Sequence, residues 1–434
     1  MKIAVHPKHD SYKDSGFDWV GDVPSHWDIE RLGSTLTAVS EKNHPDFPLL
    51  SITRDKGVIE RDIEDQDSNH NFIPDDLSGY KLLRDGQFGM NKMKAWQGSY
   101  GVSAHTGIVS PAYFIFDFTR AVDPGFFNIA IRSKLYVSYF GSASDGVRIG
   151  QWDLNQSRMK QIPILLPPIP EQRAIATFLD GKCAAIDEAV QIKEAQIKLL
   201  AERRQILIQQ AVTRGLNPDA PMKDSRIHWI GKIPKHWEVM PFTKFCKSIV
   251  DYRGKTPEKV EEGVLLVTAK NVRESFLDYD CSREYIKPTH YKMVMSRGKP
   301  KRGDILFTTE APLGNAAIVD DESVALAQRI IKFRLKEKLK SEFVNFFLNS
   351  SGFQNNLATM GTGSTAMGIK ASKLNQLRVT MPPVEEQVEI AAHLARVTDK
   401  INAGSSIKED QIATLKEYKT SLINAAVTGK IKVI

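Results

Sequence analysis

Cysteine is scarce in this sequence of 434 residues, and the few that occur are far apart. Cys183, Cys246 and Cys281 form no Cys-x-x-Cys pair. Three isolated thiols are too few for a disulfide framework, and they lack the spacing of a zinc site. We therefore expect a reduced, cytoplasmic protein without a metal site.

Long hydrophobic segments are also missing. No apolar run approaches the roughly 18 residues that a membrane span needs. Residues 1–16 contain no apolar core followed by a small-residue cleavage site, so secretion is not expected. A hydrophobic fraction of 41% and a charged fraction of 26% exclude a disordered or collagen-like chain. At roughly 100–200 residues per domain, the length predicts two to four domains.

Positive charge is in slight excess and is concentrated in one region. The chain has 59 Lys and Arg against 52 Asp and Glu, a formal net charge of +7. Residues 238–380 contain 23 basic and 16 acidic residues, a net of +7, whereas residues 30–165 contain 15 and 16, a net of −1. Five cations in Tyr291–Arg302 have no acidic neighbour. Such a block lies on a solvated face or opposes an anionic partner such as nucleic acid, and charge alone leaves both open.

Three short segments occur twice, in the same order. The repeated pairs are a tryptophan motif at 19–27 (WVGDVPSHW) and 229–237 (WIGKIPKHW), a Pro-Pro-x-x-Glu-Gln segment at 167–172 and 382–387, and Ala-Val-Thr at 211–213 and 426–428. The first pair is offset by 210 residues and the other two by 215. Three ordered matches are poorly explained by chance, so the chain is a duplicated unit. Residues 215–221, with Gly, Asn and two prolines, are a linker between the copies.

A long helix is predicted after each Pro-Pro-x-x-Glu-Gln segment. Prolines end the preceding segment, and Glu stands in the first turn, where the helix dipole favours a negative charge. If residues 171–214 formed one helix, it would be about 66 Å long at 1.5 Å per residue. In the second copy, Gly404 is a departure that predicts a less regular helix.

Both helices have apolar residues at alternating spacings of four and three, as two helices need in order to pack against each other as a coiled coil. The predicted helix seam consists of Ile186, Val190, Ile197, Leu200 and Leu207 in the first helix and Ile401, Ile412, Leu415 and Leu422 in the second. Lys and Arg occupy two layers of this seam and must reach solvent or meet carboxylates. A further apolar stripe, Ile192, Leu199 and Ile206, lies off the seam. It favours either another partner or coverage by the globular region of the same chain, and the sequence leaves both open.

The regions between the repeated segments contain short β-branched and aromatic runs interspersed with helical segments, for example Tyr113–Phe116 and Ser341–Leu348. They predict mixed α/β (α+β) domains. We divide the chain into four parts: 1–165, the first motif and globular domain; 166–216, the first helical region; 217–380, the linker, second motif and second domain; and 381–434, the second helical region. The two globular regions show no obvious repeat of each other.

Motifs for catalysis or cofactor binding are not found. Gly254-Lys-Thr256 ends like a phosphate-binding loop, but Ile249 occupies the position of the required upstream glycine. The Gly-rich segment 361–368 has neither a strand leading directly into it nor a dinucleotide-binding helix after it, so a flexible loop is the better interpretation. The ten histidines are dispersed, and His26 and His236 are expected to pack beside the tryptophans. We predict a non-catalytic chain with no metal site.

Residues suited to DNA contact occur in small groups. Lys, Arg and Ser hold phosphates, and Asn and Gln pair bidentately with adenine. The candidates in the first domain are Asn91, Lys92, Lys94, Gln97, Ser99 and Arg148. The candidates in the second domain are Arg253, Lys255, Lys270, Asn271, Lys299, Thr308, Thr309, Gln328, Arg329, Ser364, Thr365 and Lys370. For each residue alone, a solvated or fold-stabilising role is an open alternative.

With these features in place, the chain resembles the specificity (S) subunit of type I restriction–modification systems over nearly its whole length. The duplicated tryptophan motif and the doubled Pro-Pro-x-x-Glu-Gln segment with its long helix carry the resemblance. Met90–Gly101 with Gly107–Tyr113 is similar to one type of target recognition domain. A second type is matched by Gly303–Thr309, Pro312–Asn315 and Gly361–Lys370.

The resemblance implies two target recognition domains separated by two long antiparallel helices, with an internal pseudo-twofold repeat. Each domain would read one half of a bipartite, asymmetric site in double-stranded DNA. Two methyltransferase (M) subunits would dock on the helices, and restriction/translocase (R) subunits would join them. It implies no cofactor in this chain, with S-adenosylmethionine in the M subunits and ATP and Mg in the R subunits.

Two other functions are open at this stage. A structural adaptor could use the globular regions to bind proteins and the coiled coil as a spacer; the basic second region disfavours it, but the near-neutral first region does not. A fused, self-sufficient modification enzyme would need a methyltransferase motif and many more residues.

Overall fold

The computed structural model describes residues 6–62, 73–146, 152–254, 256–361 and 368–434. The chain divides into two compact units, Met1–Lys193 with Asp410–Ile434 (unit 1) and Glu194–Glu409 (unit 2). Each unit therefore contains one globular domain together with part of each long helix. The helical regions predicted at 166–216 and 381–434 are divided between the units and form no unit of their own.

Unit 1 is built mainly from short strands. Its elements are β1 (Tyr12–Asp14), β2 (Asp22–Pro24), β3 (Asp28–Arg31), α1 (Leu32–Thr35), β4 (Leu36–Val39), β5 (Leu50–Thr53), β6 (Gly57–Glu60), β7 (Lys81–Leu83), β8 (Phe88–Asn91), β9 (Tyr100–Val102), β10 (Gly107–Val109), β11 (Tyr113–Phe118), α2 (Pro124–Ile131), α3 (Lys134–Ser142), β12 (Ser144–Asp145), β13 (Asp153–Leu154), α4 (Gln156–Met159), β14 (Pro163–Leu166) and the first part of α5 (Ile169–Arg214). An antiparallel sheet of order β4-β11-β8-β9 is its centre. Phe88, Tyr100, Phe127 and Phe140 are fully buried and pack in one core behind it.

Unit 2 follows a similar plan. Its elements are β15 (Met222–Asp224), β16 (Lys232–Pro234), β17 (Glu238–Pro241), β18 (Cys246–Asp251), β19 (Val264–Val267), β20 (Tyr285–Ile286), α6 (Tyr291–Val294), β21 (Ile305–Thr309), β22 (Leu313–Ile318), β23 (Ala325–Leu326), β24 (Ile330–Leu335), α7 (Ser341–Leu348), α8 (Ser351–Met360), β25 (Arg378–Met381) and the first part of α9 (Val384–Val427). Its central antiparallel sheet has the order β18-β24-β21-β22. Phe307, Phe333, Phe343 and Phe347 are fully buried in its main core.

The two central sheets share one topology. In chain order, each is made of a first strand, a hairpin, and a last strand that returns between the first strand and the hairpin. In both units a parallel pairing precedes that last strand: a bridge between Leu49 and Ile108 in unit 1, and β19 with β23 in unit 2. The globular regions, which show no obvious repeat of each other in sequence, thus share the strand order of their central sheets. Sequence matching did not detect the repeat because a shared topology needs only compatible patterns of burial, not identical residues.

In each unit, the chain enters and leaves the globular domain through one antiparallel strand pair, which we call the neck. The first neck pairs β3 with β14, with Glu30 opposite Ile164. The second pairs β17 with β25, with Val239 opposite Thr380. The globular domains are thus insertions in a duplicated frame.

Each tryptophan motif is fastened to the start of a long helix by one carboxylate. In unit 1, Trp27 Nε1 donates to Glu171 Oε1 at 3.1 Å, and His26 Nε2 lies 2.7 Å from Glu171 Oε2. In unit 2, Trp237 and His236 make the same contacts with Glu386, at 2.8 and 2.6 Å. We call these the first and second latches. They explain why tryptophan, histidine and glutamate recur together in the duplication.

The glutamine after each latch glutamate has a matching role. Gln172 Nε2 donates to Pro167 O and its Oε1 accepts the backbone N–H of Asp123, the residue that caps α2. Gln387 makes the equivalent bonds to Pro382 O and to the N–H of Lys340, which precedes α7. Each Glu-Gln pair therefore joins the long helix to both ends of the globular domain.

The expectation of two long helices that pack on each other is confirmed. In unit 1, Ile186 and Val190 of α5 share a buried core with Leu415 and Leu422 of α9, and Ile412 packs against it. A charged layer of the seam meets a carboxylate there, since Lys419 Nζ lies 2.6 Å from Asp187. In unit 2, the seam residues Ile197, Leu200, Leu207 and Ile401 are half-buried.

Gly404 does not make the second helix irregular, so that expectation is wrong. The helix α9 runs unbroken from Val384 to Val427. A Cβ atom on Gly404 would lie 3.9 Å from Leu200 Cδ1, an ordinary contact distance. Intact neighbouring turns and packing against α5 outweigh the modest intrinsic cost of one glycine.

The stripe off the seam is exposed: Ile192, Leu199 and Ile206 have exposed fractions of 49, 62 and 55%. Within the described residues, the globular domains do not cover it. Among the helices that the structure describes, none is long and apolar enough to span a membrane.

Candidate nucleic-acid interface

In both units, chain connections meet at one edge of the central sheet, because neighbouring strands are antiparallel. In unit 1 this edge comprises residues 40–42 after β4, 92–99 between β8 and β9, and 110–112 before β11; we call it the first loop edge. In unit 2 the second loop edge comprises residues 252–254, 310–312 and 327–329. Loops held by a rigid sheet are common sites of recognition.

Asn91 and Ser99 close the longest connection of the first loop edge. The N–H of Asn91 donates to Ser99 O at 3.0 Å, and Asn91 Nδ2 donates to Tyr113 Oη at 3.3 Å. Both residues are buried, with exposed fractions of 5 and 2%. They shape the connection, and their contact with bases stays a prediction.

The other candidates in this connection reach the surface. Lys94 is exposed, Gln97 is half-buried, and Lys92 Nζ lies 3.3 Å from Asp153 Oδ2. An exposed ion pair of this kind contributes about 0–1 kcal/mol, so Lys92 can exchange its partner for a phosphate at little cost. Arg148 lies outside the described residues.

Two lysines at the first loop edge, Lys42 and Lys81, were not found from the sequence, and they lie near the predicted Lys92. Lys81 Nζ donates to Tyr113 O at 2.6 Å. Burial, together with the positive charges of Lys42 and Lys92, lowers the pKa of Lys81. Three cations thus converge on a domain whose net charge is −1. Lys42 and Lys81 escaped sequence analysis because each stands alone along the chain, and Lys42 follows an acidic residue, Glu41.

The second loop edge brings Arg253, Thr309 and Arg329 together. Thr309 N–H and Oγ1 both donate to Arg329 O, at 2.9 and 3.2 Å. Arg253 donates from one guanidinium nitrogen to Ile369 O at 2.9 Å, and Ile369 N–H donates to Thr309 O at 3.0 Å. This network also brings the exposed Lys370, the next residue in the chain, to the same edge.

Both arginines of this edge are held by carboxylates. Arg253 forms hydrogen bonds to both oxygens of Asp251, and Arg329 Nε lies 3.1 Å from Glu310 Oε1. Burial acts to raise the pKa of Asp251, but the hydrogen bonds from Arg253 outweigh it and the pKa lies below its ordinary value. Asp251 is therefore ionised at neutral pH and orients the Arg253 guanidinium.

Gln328 and Arg329 adopt a backbone conformation that side chains other than glycine rarely take. Their φ angles are 47° and 60°. Gln328 Nε2 donates to Thr256 Oγ1 at 2.6 Å. Such left-handed positions persist where surrounding contacts enforce them, and they are found preferentially at functional sites.

Other candidates of the second domain lie away from this group or inside the fold. Asn271 is fully buried; its Oδ1 accepts from Thr268, and its Nδ2 donates to Asp278 O and Ser282 O, so it stabilises its own loop. Thr308 is buried within β21. Lys270 is exposed beside Glu284, at 3.9 Å. Lys255, Ser364 and Thr365 lie outside the described residues.

Lys299 belongs to the basic run but not to the loop edge. Its carbonyl accepts from Lys332 Nζ at 3.0 Å, beside the middle of the sheet, and its ammonium lies 5.5 Å from the ring centre of Tyr291. The same run does reach the edge through Arg297, which donates to the carbonyls of Asp251 and Arg253 at 2.7 and 3.1 Å. Which basic residues lie at this edge is therefore determined by their position in the fold and not by the density of charge along the sequence.

Comparison with known proteins agrees with this architecture. Residues 296–417 match the family model of the type I restriction modification DNA specificity domain. The putative type I restriction enzyme MjaX specificity subunit of Methanocaldococcus jannaschii is 23% identical, over 97% of this chain and 98% of that protein. The EcoKI specificity subunit of Escherichia coli K12 is 22% identical, over 76% of this chain and 68% of that protein.

Solved structures with the same fold include the HsdS subunit of Thermoanaerobacter tengcongensis. It has a TM-score of 0.55 at 16% identity and covers 94% of this chain and 98% of its own. A chain from a study of complex assembly and conformational transition of the type I R-M system has a TM-score of 0.69 at 16% identity, over 93% of this chain and 98% of that one. With the duplicated frame, these similarities show that the chain resembles type I restriction enzyme specificity subunits in sequence and in fold.

Proposed function

We propose that this chain supplies the DNA sequence specificity of a type I restriction–modification complex, with each globular domain reading one half of a bipartite site. The observation that carries the proposal is the repeated sheet topology with two different loop edges. A common scaffold with different loops suits two readers that dock in the same way on different sequences. The chain itself would catalyse no reaction.

The two edges would use complementary means of binding. The lysine group at the first loop edge suits phosphates, which fix position and dominate the salt dependence of affinity. At the second loop edge, Arg253, Gln328 and Arg329 have the fork-shaped or amide groups that recognise guanine and adenine edges in the major groove. The carboxylates Asp251 and Glu310 keep the two arginines oriented until DNA competes for them.

The long helices would carry the partners. The exposed stripe Ile192, Leu199 and Ile206 on α5 suits docking of methyltransferase (M) subunits, since burial of such residues stabilises an interface by about 25 cal/mol per Å². Restriction/translocase (R) subunits would join through that assembly. S-adenosylmethionine would be bound by the M subunits, and ATP with Mg by the R subunits, leaving this chain without a cofactor.

A salt titration tests the proposal. Affinity for duplex DNA containing the target would be measured for the complex of this chain with its M partner, and for the M partner alone, at increasing salt concentrations. We expect tight binding by the complex only, with a logarithm of affinity that falls linearly with the logarithm of salt concentration. A complex that binds no DNA, or binds it independently of salt, would favour the adaptor function.

A further inference from the structure

Three possible metal ligands meet at the first latch. His9 lies in the segment before β1, His26 belongs to the first tryptophan motif, and Glu171 is in the first turn of α5. One ligand atom from each lies within 4.8 Å of the other two. Sequence analysis predicted no metal site because these residues are 17 and 145 positions apart and form no motif.

His9 is buried without a partner for one ring nitrogen. Its exposed fraction is 9%, its Nε2 atom accepts or donates no hydrogen bond within the described residues, and that atom lies 3.7 Å from Glu171 Oε1. A buried imidazole nitrogen without a hydrogen-bond partner is available as a metal ligand.

A buried ring nitrogen without a hydrogen-bond partner is unfavourable, and this one lies near a carboxylate oxygen. A positive ion bound between the two atoms would interact favourably with both.

The second latch provides an internal comparison. Glu386 accepts from Trp237 and contacts His236, as Glu171 does with Trp27 and His26. The position equivalent to His9 at the offset of 210 is Asp219, whose N–H donates to Asn217 Oδ1 in the exposed linker. The latch is therefore complete with two partners, and His9 is not needed to hold the motif to the helix.

We propose that His9, His26 and Glu171 bind one Zn²⁺ ion in the first latch and that the second latch binds none. Two imidazole nitrogens and one carboxylate oxygen are a ligand set that zinc accepts, at about 2.0–2.2 Å from the metal. Ligands at that distance lie roughly 3.3 Å apart in a tetrahedral site. His26 Nε2 lies 2.7 Å from Glu171 Oε2 and His9 Nε2 lies 3.7 Å from Glu171 Oε1, so small side-chain shifts would bring the ligands to a common ion. His26 has a side chain 48% exposed, so solvent can supply the fourth ligand.

Zinc at this site would fasten the segment before β1 to the start of α5. The bond from Trp27 Nε1 to Glu171 Oε1 would remain as an outer contact that orients the carboxylate. The role of the ion would be structural. It would attach His9 to the first latch as a third residue, whereas the second latch joins only two residues, a histidine and a tryptophan, to its glutamate.

The test uses the untagged full-length chain, stripped with a chelator and then dialysed against zinc. The metal content would be measured for the wild-type chain, for His9→Gln, and for His236→Gln as the matched control in the second latch. We expect one tightly bound equivalent in the wild type and in His236→Gln, and its loss in His9→Gln. Cobalt(II) would report the ligands independently, through visible absorption of a four-coordinate site that His9→Gln and His26→Gln both abolish.

Thermal unfolding controls for misfolding of the variants. The unfolding midpoint of the wild type and of His236→Gln should rise with zinc concentration, whereas that of His9→Gln should stay at its zinc-free value. Failure of the wild-type chain to retain one equivalent, or equal retention by His9→Gln, would overturn the proposal. Because the assay contains no DNA, neither result depends on the specificity function.

Discussion

Asp304 neutralises two cations at the start of β21. Lys332 Nζ and Arg334 Nε lie 3.1 and 2.7 Å from its carboxylate oxygens. Asp304 and Lys332 have side-chain exposed fractions of 2 and 1%. Burial acts to raise the pKa of Asp304, but the hydrogen bonds from Arg334 and Lys332 outweigh it and the pKa lies below its ordinary value.

Asp304→Asn should destabilise unit 2 by about 3–5 kcal/mol, because it leaves the Lys332 ammonium buried without its counter-charge. Urea unfolding followed by tryptophan fluorescence measures the loss. The exposed pair of Asp280 and Arg283 supplies the control, since Asp280→Asn should change the free energy of unfolding by less than about 1 kcal/mol. Equal effects of the two substitutions would show that Asp304 has no special role.

The same carboxylate predicts how stability depends on pH. A group whose pKa is lower in the folded state stabilises the fold above its unfolded pKa of about 3.9, and this contribution is lost as the pH falls through the folded value. Unfolding free energies measured between neutral pH and about pH 3 should therefore fall less steeply for Asp304→Asn than for the wild type.

Lys81→Gln should weaken DNA binding by the assembled complex and lower the slope of the salt dependence by about one. The substitution removes one positive charge from the group that Lys81 forms with Lys42 and Lys92. A bound phosphate would relieve the repulsion among these three lysines. Lys160→Gln is the matched control, because Lys160 is exposed beside Gly33, near the opposite edge of the sheet. An unchanged salt slope in Lys81→Gln would remove this lysine from the interface.

At the scale of elements, Gly404→Ala should stabilise α9 by about 0.5–1 kcal/mol, since alanine restricts the unfolded chain and favours the helix. The added Cβ would meet Leu200 Cδ1 at 3.9 Å, without a clash. Gly181→Ala in α5 is a suitable comparison, because no atom lies within 4 Å of its added Cβ. Urea unfolding checks both; destabilisation by Gly404→Ala alone would indicate that the helices lie closer there.

Leu199→Glu should weaken association with the M subunit while leaving the fold intact. Leu199 is 62% exposed, so a charge costs the isolated chain little, but a buried interface would have to desolvate it. Association would be measured by analytical ultracentrifugation, with Lys198→Glu on the neighbouring exposed position as control. Unchanged assembly by Leu199→Glu would assign the stripe to another partner.

The long helices were predictable because periodicity and the duplicated Glu-Gln segments act locally. The half-buried state of Leu200 and Leu207 could not be predicted, because the burial of a side chain depends on what packs beside that turn of the helix. The shared topology of the two sheets was also missed, since strand order is set by contacts between distant segments. Similarly, Lys42 and Lys81 become neighbours only when β4 and β7 reach the same edge.

The candidate site was predicted in outline and incompletely at the level of residues. Arg253, Thr309 and Arg329 do come together, since each lies at or next to a strand end, and Lys370 follows Ile369, whose N–H donates to Thr309 O. Asn271 has an amide group that could contact a base, but its oxygen and its nitrogen are both hydrogen-bonded within its own loop. The sequence specifies the type of a side chain. Whether that side chain is free to contact DNA depends on the hydrogen bonds that it already makes within the folded protein.

For the whole molecule, exchange of residues 30–165 for the corresponding domain of another family member should change one half of the methylated sequence and leave the other half unaltered. The exchange points fall within the first neck, where Glu30 faces Ile164 and backbone pairing can re-form. Mapping methylated adenines in cells that express the chimaera with its M partner gives the result. Alteration of both halves would contradict the assignment of one domain to one half-site.

The two necks also bear on how such a chain diversifies. Where β3 meets β14 and β17 meets β25, the incoming and outgoing backbones lie about 5 Å apart. A foreign insert therefore needs only compatible ends, while the latches and helices stay as they are. Each half of the frame can therefore accept different globular domains. The number of possible domain combinations is the product of the numbers of domains available at the two positions, rather than their sum.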